Sequence, residues 1–549
     1  MNSQRSFFGF LVAGVIAVLL LLITGFYWLF VKVPVKLGTP INQPASAMFV
    51  SKAAPVMVSL LVNPEGLQSL DQKGEFSQIK NRLLAKTQVN FAKDVKPWLG
   101  DEITLAVTSD DIDHDPSNGI QPGYLMVLAT DNPTKSKEFV EVLFSQRALG
   151  GANLEVQKYK GVKLIYDTQT VEKSGKAENN LAAAVVDNFV LFANYPKVIR
   201  EAINNVQAPN VNLKSYPIYQ QVIQELPKNA LALAFLNLSE VAQWQGLKLT
   251  DPTYDSQIIS LVLKPQGLLA ESTFLSSSPL TNGSQLQAKP VGALHYIPES
   301  AGMAVAGTNL SNLTNSNLGK LWQQGTIAIY GSEEKAVERL LKPVVSLQKQ
   351  WGLNLGSDIF SWVTGEYALA ILPNSENADF SWVFVVEKSP ELISGLNNLD
   401  RIANEQGLNA SVVNLRNQKI TAWTELTATE NQTAVIEAKI KGVHGSIDNY
   451  EIFTSDLKVM EKILTHQEKS LIENQEFTND IKAIPQPNQG YVYVDWEKSQ
   501  DFLERQQPLV KFVKLLGKPL FDHLQSLTMS SYGEEPEILK GGVFLHLSK

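Results

Sequence analysis

The hydropathy pattern changes character twice along the 549 residues. Between Arg5 and Lys32 the chain reads SFFGFLVAGVIAVLLLLITGFYWLF, uncharged and almost wholly apolar. At 1.5 Å rise per residue this exceeds the roughly 20 residues that cross a bilayer core. Aromatic clusters close both ends, Phe7, Phe8 and Phe10 against Phe26, Tyr27, Trp28 and Phe30, as in the belts found at headgroup level. A transmembrane anchor is therefore expected over 7–31, after a tail of residues 1–6. The competing reading is a cleaved signal peptide, whose apolar region is normally about 7 to 15 residues long and closes on a small-x-small site, a site not found before Lys32. Gly9, Ala13 and Ala17 form a small-xxx-small row that either admits a second helix or is ordinary membrane-helix composition. From 32 to 45, Pro34, Pro40 and Pro44 interrupt any helical period and predict a stiff tether.

Beyond the tether the pattern is written twice. NFAKDVKPWLGDEITLAV, from Asn90 to Val107, reappears as NLGSDIFSWVTGEYALAI from Asn354 to Ile371. Asp94 then matches Asp358, Trp98 matches Trp362, Glu102 matches Glu366 and Leu105 matches Leu369. Each block is preceded by an aromatic, a polar turn and an apolar strand, from Phe49 and from Tyr296, and then by a helical period running to about Ala85 and Trp351. Each block closes in a strand, Ile103 to Val107 and Tyr367 to Ile371.

The next matched pair is YLMVLATDNP from Tyr124 and SWVFVVEKSP from Ser381. It places Asn132 and Ser389 as helix N-caps, with Pro133 and Pro390 at the first helical position. DNFVLFANYPKVIREAI from Asp187 and DNYEIFTSDLKVMEKIL from Asp448 each predict a turn, a strand and a helix. Polar tracts precede both, TQTVEKSGKAENN after Asp167 and TELTATENQ after Trp423, and are expected as exposed loops. A last helix and strand match through Ile223 with Ile481 and Pro227 with Pro485. These elements predict an α+β fold, a tandem duplication of a mostly antiparallel sheet-plus-helices module behind the anchor helix. Copy 1 is expected over 46–280 and copy 2 over 290–549, with the seam in SSSPLTNGSQLQAKP.

Charge and composition narrow the function. Three of the 47 basic residues, Arg5, Lys32 and Lys36, precede residue 46 without an acidic neighbour, so the body is more acidic than the net charge of −8 for the whole chain. Such a body repels phosphates, and nucleic acid is not expected as a partner. Those same three residues leave the positive-inside bias of the anchor nearly balanced; we expect the body on the exported side. Cys is absent, which removes thiol nucleophiles, disulfides and thiolate metal sites.

The opening SAMFVSKAAPVMVSLLVNPEGL, the block KDVKPWLGDEITLAVTSDDIDHDPSNGIQPGYL and the run VLFANYPKVIREAINNVQAP, together with the anchor, resemble the cyanobacterial membrane-anchored family catalogued as domain of unknown function 3352. The resemblance covers essentially the whole chain after the anchor and implies a cyanobacterial membrane-anchored protein, without supplying a catalytic residue; for the exported body we expect the periplasm or the thylakoid lumen.

Phosphate loops, dinucleotide loops, HExxH and GxSxG elbows are all missing, and the six histidines never fall in a pair at helical ligand spacing. One acidic cluster stands out. Asp111, Asp113 and Asp115 alternate ahead of Asn118, the oxygen pattern a Ca²⁺ ion requires. Pro116 and Pro122 occupy the places of the loop glycine and the bidentate Glu, and the second copy, LPNSENAD, lacks the cluster. The loop is thus either a copy-specific cation or partner site or a solvated acidic turn. Trp98, Trp362, Glu102 and Glu366 are expected to be structural. The functional expectation is a non-enzymatic interaction or assembly module with an unidentified protein partner at the extracytoplasmic face. The alternatives are a lipid or apolar-ligand binder and, behind it, a hydrolase with a carboxylate site.

Overall fold

The computed structural model describes residues 43–61, 91–113, 115, 121–168, 181–226, 230–244, 253–276, 286–330, 353–373, 380–431, 433–506, 514, 518–533, 535 and 537–548. The expected anchor, most of the tether, the helical period reaching Ala85, the part of the second period beyond Tyr330, and the tract 169–180 lie outside these residues. Among the described residues no helix is long and apolar enough to cross a membrane. The chain divides into two compact units, Ile23–Leu263 with Ala270–Pro279, and Lys264–Leu269 with Leu280–Lys549 together with Met1–Leu22.

In the N-terminal unit the strands are β1 (Val56–Leu60), β2 (Leu99–Ser109), β3 (Gly123–Thr130), β4 (Leu154–Tyr159), β5 (Val162–Asp167), β6 (Ala182–Val186), β7 (Phe189–Ala193), β8 (Ala230–Asn237), β9 (Ser256–Lys264) and β10 (Gly267–Leu275). Their order is β10–β9–β8–β1–β2–β3–β7–β6–β5–β4. Helices α1 (Pro133–Leu149), α2 (Pro196–Gln207), α3 (Pro217–Glu225) and α4 (Leu238–Trp244) connect them. The C-terminal unit has β11 (Met303–Thr308), β12 (Glu366–Pro373), β13 (Phe380–Glu387), β14 (Leu408–Leu415), β15 (Gln418–Asn431), β16 (Thr433–Ile447), β17 (Tyr450–Thr454), β18 (Tyr491–Asp495), β19 (Leu524–Tyr532) and β20 (Ile538–Leu547). Here the order is β20–β19–β18–β11–β12–β13–β17–β16–β15–β14, the N-terminal order with ten added to each strand. Its helices are α5 (Asn317–Tyr330), α6 (Leu392–Glu405), α7 (Leu457–Thr465), α8 (Gln475–Ala483), α9 (Trp496–Gln506) and α10 (Lys518–Phe521). Mostly antiparallel sheet with helices is therefore the fold, as the hydrophobic pattern predicts.

Registers repeat as well. Val58 faces Leu105 and Ala234, and Val305 faces Leu369 and Val492. The two-residue turns into β7 and β17 begin with Asp187 and Asp448, both at φ 48°, a left-handed conformation that Asp tolerates. One match slips. Leu125 faces Ala193 while Val383 faces Thr454, so β3 aligns with β13 one residue away from the match of Tyr124 with Ser381. Both strands are apolar on both faces, and without alternation the pattern does not specify register.

The slip corrects the expected caps. Asn132 does cap α1, accepting from the Lys135 amide at 3.1 Å with Pro133 at the first position. Ser389 caps nothing: Ser389, Pro390 and Glu391 form a turn closed by the Leu392 amide on the Ser389 carbonyl at 3.1 Å, and α6 starts at Leu392. The tract after Trp423 is also corrected from loop to strand. Thr424 to Asn431 continues β15, with Leu426 opposite Ala438 and Asn431 opposite Thr433. Thr424 and the facing Ile440 are β-formers on a pleated surface, and Lys441 bridges to Glu425 at 2.9 Å.

Candidate functional site

The acidic loop leaves β2 and is tied down by its own carboxylates. Asp111 accepts from the Gln121 amide at 3.2 Å, and Asp113 accepts from the Asp115 amide at 3.1 Å and from the Gln121 side chain at 3.4 Å. Asn118 lies outside the described residues. Among the described residues no group of three or more His, Cys, Asp or Glu side chains is placed to hold a metal ion.

The residues repeated between the units do the same work in each. Asp94 and Asp358 sit in single π turns, Phe91–Val95 and Leu355–Ile359, and their carbonyls accept from the indole nitrogens of Trp98 and Trp362, each at 2.7 Å. A π turn widens the backbone by one residue, which brings a carbonyl within reach of the indole four residues on. Glu102 accepts from the amides of Ala45 and Ser46, both at 2.9 Å, at the start of the 3-10 turn Ala45–Phe49. Glu366 accepts from the Gly292 amide at 2.6 Å, at the start of the 3-10 turn Gly292–Tyr296. Each glutamate satisfies orphan helix-end donors more than fifty residues away in sequence.

What the sequence did not single out is an aromatic cavity in the C-terminal unit. Leu369, Phe384, Phe453 and His444 stand opposite one another across β12, β13, β17 and β16, forming one row across the sheet. Trp382 lies two residues from Phe384 and Trp423 two residues from Thr421, the partner of His444, so both rise on that face. The π turn supplies Leu355 and Ile359, and α6 supplies Leu399. With Leu353 and Trp362 these side chains border a cavity of about 60 Å³ whose exposed lining is apolar. Leu353, Leu399 and Trp423 also border a second, separate cavity of about 20 Å³ along Ile402, Ala403, Leu408 and Gln406.

Behind the lining sits a polar buttress. His444 packs tilted against Trp423 and stacks on Phe453, ring centroids 5.1 and 5.4 Å apart, and its Nδ1 lies 2.7 Å from a Glu451 oxygen. Asp400 on α6 accepts from the Trp423 indole at 2.7 Å and lies 3.9 Å from His444 Nε2. A second buried histidine looks more like chemistry than it is. His546 Nδ1 lies 2.6 Å from Asp480, and Ser526 is close by, but the serine hydroxyl donates to Asp480 rather than to the imidazole. A nucleophile needs its base on the hydroxyl. All three are buried in the core of the unit. Burial alone would lower the His546 pKa; the hydrogen bond to Asp480 and the charges of Asp480 and Glu476 outweigh it and raise the value above 6.5.

The model of DUF3352, a protein family of unknown function, matches residues 11–547. The chain belongs to the DUF3352 family. No curated protein matches it. Among solved structures, crystal form I of TP0453 is similar at 8% identity, over 45% of this DUF3352 chain and 88% of that chain, with a TM-score of 0.25. Crystal form IV of TP0453 gives 8%, 42%, 80% and 0.24. Scores at that level do not establish a shared fold.

Proposed function

We propose that this DUF3352 protein is a non-enzymatic, membrane-anchored binding protein whose C-terminal unit takes up an apolar ligand. The observation that carries the reading is the cavity bordered by Trp362, Trp382, Trp423, Phe384 and Phe453, whose exposed lining is wholly apolar. Ligand pockets are concave and mostly apolar, and aromatic side chains supply large contact area at little entropic cost. The two units are read here as copies of one module, supported by the matching strand orders and by the Trp and Glu contacts common to both. In the same reading residues 7–31 anchor the chain, and the body stands on the extracytoplasmic side, periplasmic or thylakoid-lumenal; protease protection of a tag at Lys549 tests that orientation. An assembly role with a protein partner is compatible with the same cavity. A hydrolase centred on Glu102 is not favoured, since that carboxylate is buried and occupied by two amides.

The test is the full chain purified from membranes, with extracted apolar molecules identified by mass spectrometry. Leu399 borders both cavities, so Leu399→Phe fills them without adding charge. A ligand recovered near one per chain from the natural protein and depleted in the variant is expected. Equal recovery from both sinks the reading.

A further inference from the structure

The helix after β7 and the helix after β17 end differently, and a polar cavity lies at the shorter one. In both units the loop beyond the helix is clipped to the strap that follows the first 3-10 turn. The Lys52 amide donates to the Val211 carbonyl at 3.0 Å and the Leu213 amide to Val50 at 2.8 Å; likewise the Glu299 amide donates to Lys469 at 2.9 Å and the Leu471 amide to Ile297 at 2.7 Å. Ahead of these fixed points α2 runs for twelve residues and α7 for nine. In the last turn of the longer helix the Asn205 side chain donates to the Phe49 carbonyl at 3.0 Å. Helix α7 stops about one turn earlier, and beside its end residues of 295–298 and 462–473 wall a cavity of about 340 Å³.

The lining differs along with the space. Lys462, His466, Lys469 and His295 border the cavity, and the matching places of the N-terminal unit hold Glu201, Ala208, Val211 and Met48. The backbone fixes these matches: His466 and Ala208 are the C-caps of their helices, Lys469 and Val211 carry the clipped carbonyls, and His295 and Met48 precede the paired aromatics Tyr296 and Phe49. Two glutamates share the wall, and both are already bonded. Glu468 accepts from the Ser300 amide at 2.9 Å and from Lys462 at 3.2 Å, and Glu473 accepts from the Ser470 amide and hydroxyl, both at 2.8 Å. The side chains of Lys469, His295 and His466 make no hydrogen bond or ion pair with any described residue. A lysine ammonium offers three donors and no acceptor, and its bonds to an ionised oxygen are the strong kind. Sites for small ligands begin at about 300 Å³.

We propose that this cavity binds a small polar molecule through an oxyanion, a carboxylate or a phosphate, held by Lys469 with His295 and His466 beside it. The site is independent of the apolar cavity under α6. The net charge of −8 for the whole chain works against an anion, so recognition rests on these side chains and not on the general field of the protein.

The full chain is titrated by calorimetry at pH 7 and physiological salt with inorganic phosphate, succinate and the neutral polyol erythritol. Saturable binding of phosphate or succinate at one per chain is expected, and the tighter of the two identifies the oxyanion. Erythritol should bind at least about tenfold more weakly. Lys469→Glu should weaken anion binding at least about tenfold. Lys458→Glu makes the same change of charge at an exposed position of α7 outside the lining, and should leave binding within about twofold because salt screens exposed charges. Absence of saturable binding by both anions, erythritol binding as tightly as they do, or equal losses in the two variants overturns the proposal.

Discussion

In the N-terminal unit the helix that follows β3 reaches its tryptophan with an aromatic ring; in the C-terminal unit the equivalent helix reaches it with a glycine. Phe139 of α1 lies 5.3 Å from Trp98 and 6.5 Å from Phe192, and Val140 and Phe144 are buried beside them. Helix α6 has no aromatic residue, and its Gly395 sits so close to Trp362 that a Cβ there would come within 2.6 Å of the indole. The strands differ to match. Where β15 carries Trp423, the register puts Asp167 in β5, paired with Arg147 of α1. A half-buried ion pair at that spot puts charge where the other unit has an apolar lining. One strand order and one set of backbone contacts thus support a filled space in one unit and a lined, empty one in the other. The contacts that repeat, Trp to Asp carbonyl and Glu to helix-end amides, satisfy polar backbone groups that would otherwise be unpaired in both units. The side chains beneath the helix differ.

The largest effect should come from truncating the two tryptophans. Trp98 is 2% exposed and packed on Phe139, so Trp98→Ala should cost about 3–5 kcal/mol. Trp362, at 8% exposure, borders space that is already empty, and Trp362→Ala should cost about 1–2 kcal/mol less because fewer contacts are lost. Urea unfolding of each variant measures both. Equal losses would mean that the C-terminal chamber is filled.

The glutamates sharpen the comparison at a smaller scale. Glu102 is 3% exposed and bonds two amides and, at 3.3 Å, the Thr104 hydroxyl, which in turn meets Ser46 and Ser59 at 2.6 Å. Glu366 is half-buried and bonds one amide and the Tyr450 hydroxyl. Bonds to a charged acceptor contribute about 1.5–3 kcal/mol each when buried. Glu102→Gln should therefore destabilise by about 2–3 kcal/mol and Glu366→Gln by about 1 kcal/mol, read from denaturant midpoints at fixed pH. A larger loss at Glu366 would reverse the ranking of the two sites.

How much of this was legible in the sequence depends on alternation. Val58 opposite Leu105 lies on strands with a buried and a less buried face, whereas Val305 and Leu369 lie on strands without that alternation and are placed by the shared Trp and Glu that mark the turns around them. Register failed at β3 and β13, where both faces are apolar, and the Ser389 cap failed with it. The cavity was not legible because its lining comes from β12, β13, β15, β17, α6 and a π turn, brought together only by the strand order. One trace was available: Trp382 and Trp423 have no tryptophan at the matching places of the first unit, which hold Tyr124 and Asp167.

The smallest effect concerns pH and again separates the units. Helices α3 and α8 are nine residues each, with Tyr219 and Phe477 third and Ile223 and Ile481 seventh, all buried. The sixth position is Val222 in α3 and Asp480 in α8, and only Asp480 has an imidazole, His546, against it. Burial opposes the charge on His546, but Asp480 and Glu476 outweigh burial and raise its pKa above 6.5. A raised pKa means that the folded state holds the proton more tightly than the unfolded chain, so the stabilisation is complete below the unfolded value and is lost as pH rises through the folded one. The stability of the C-terminal unit should thus fall with rising pH from about 6.5 upward, by no more than about 1.4 kcal/mol per pH unit for one proton. His546→Gln, which keeps a donor for Asp480 without a titrating group, should flatten that slope, as followed by thermal melts between pH 6 and pH 9. A slope that survives His546→Gln would assign the proton to another group and remove this distinction between α3 and α8.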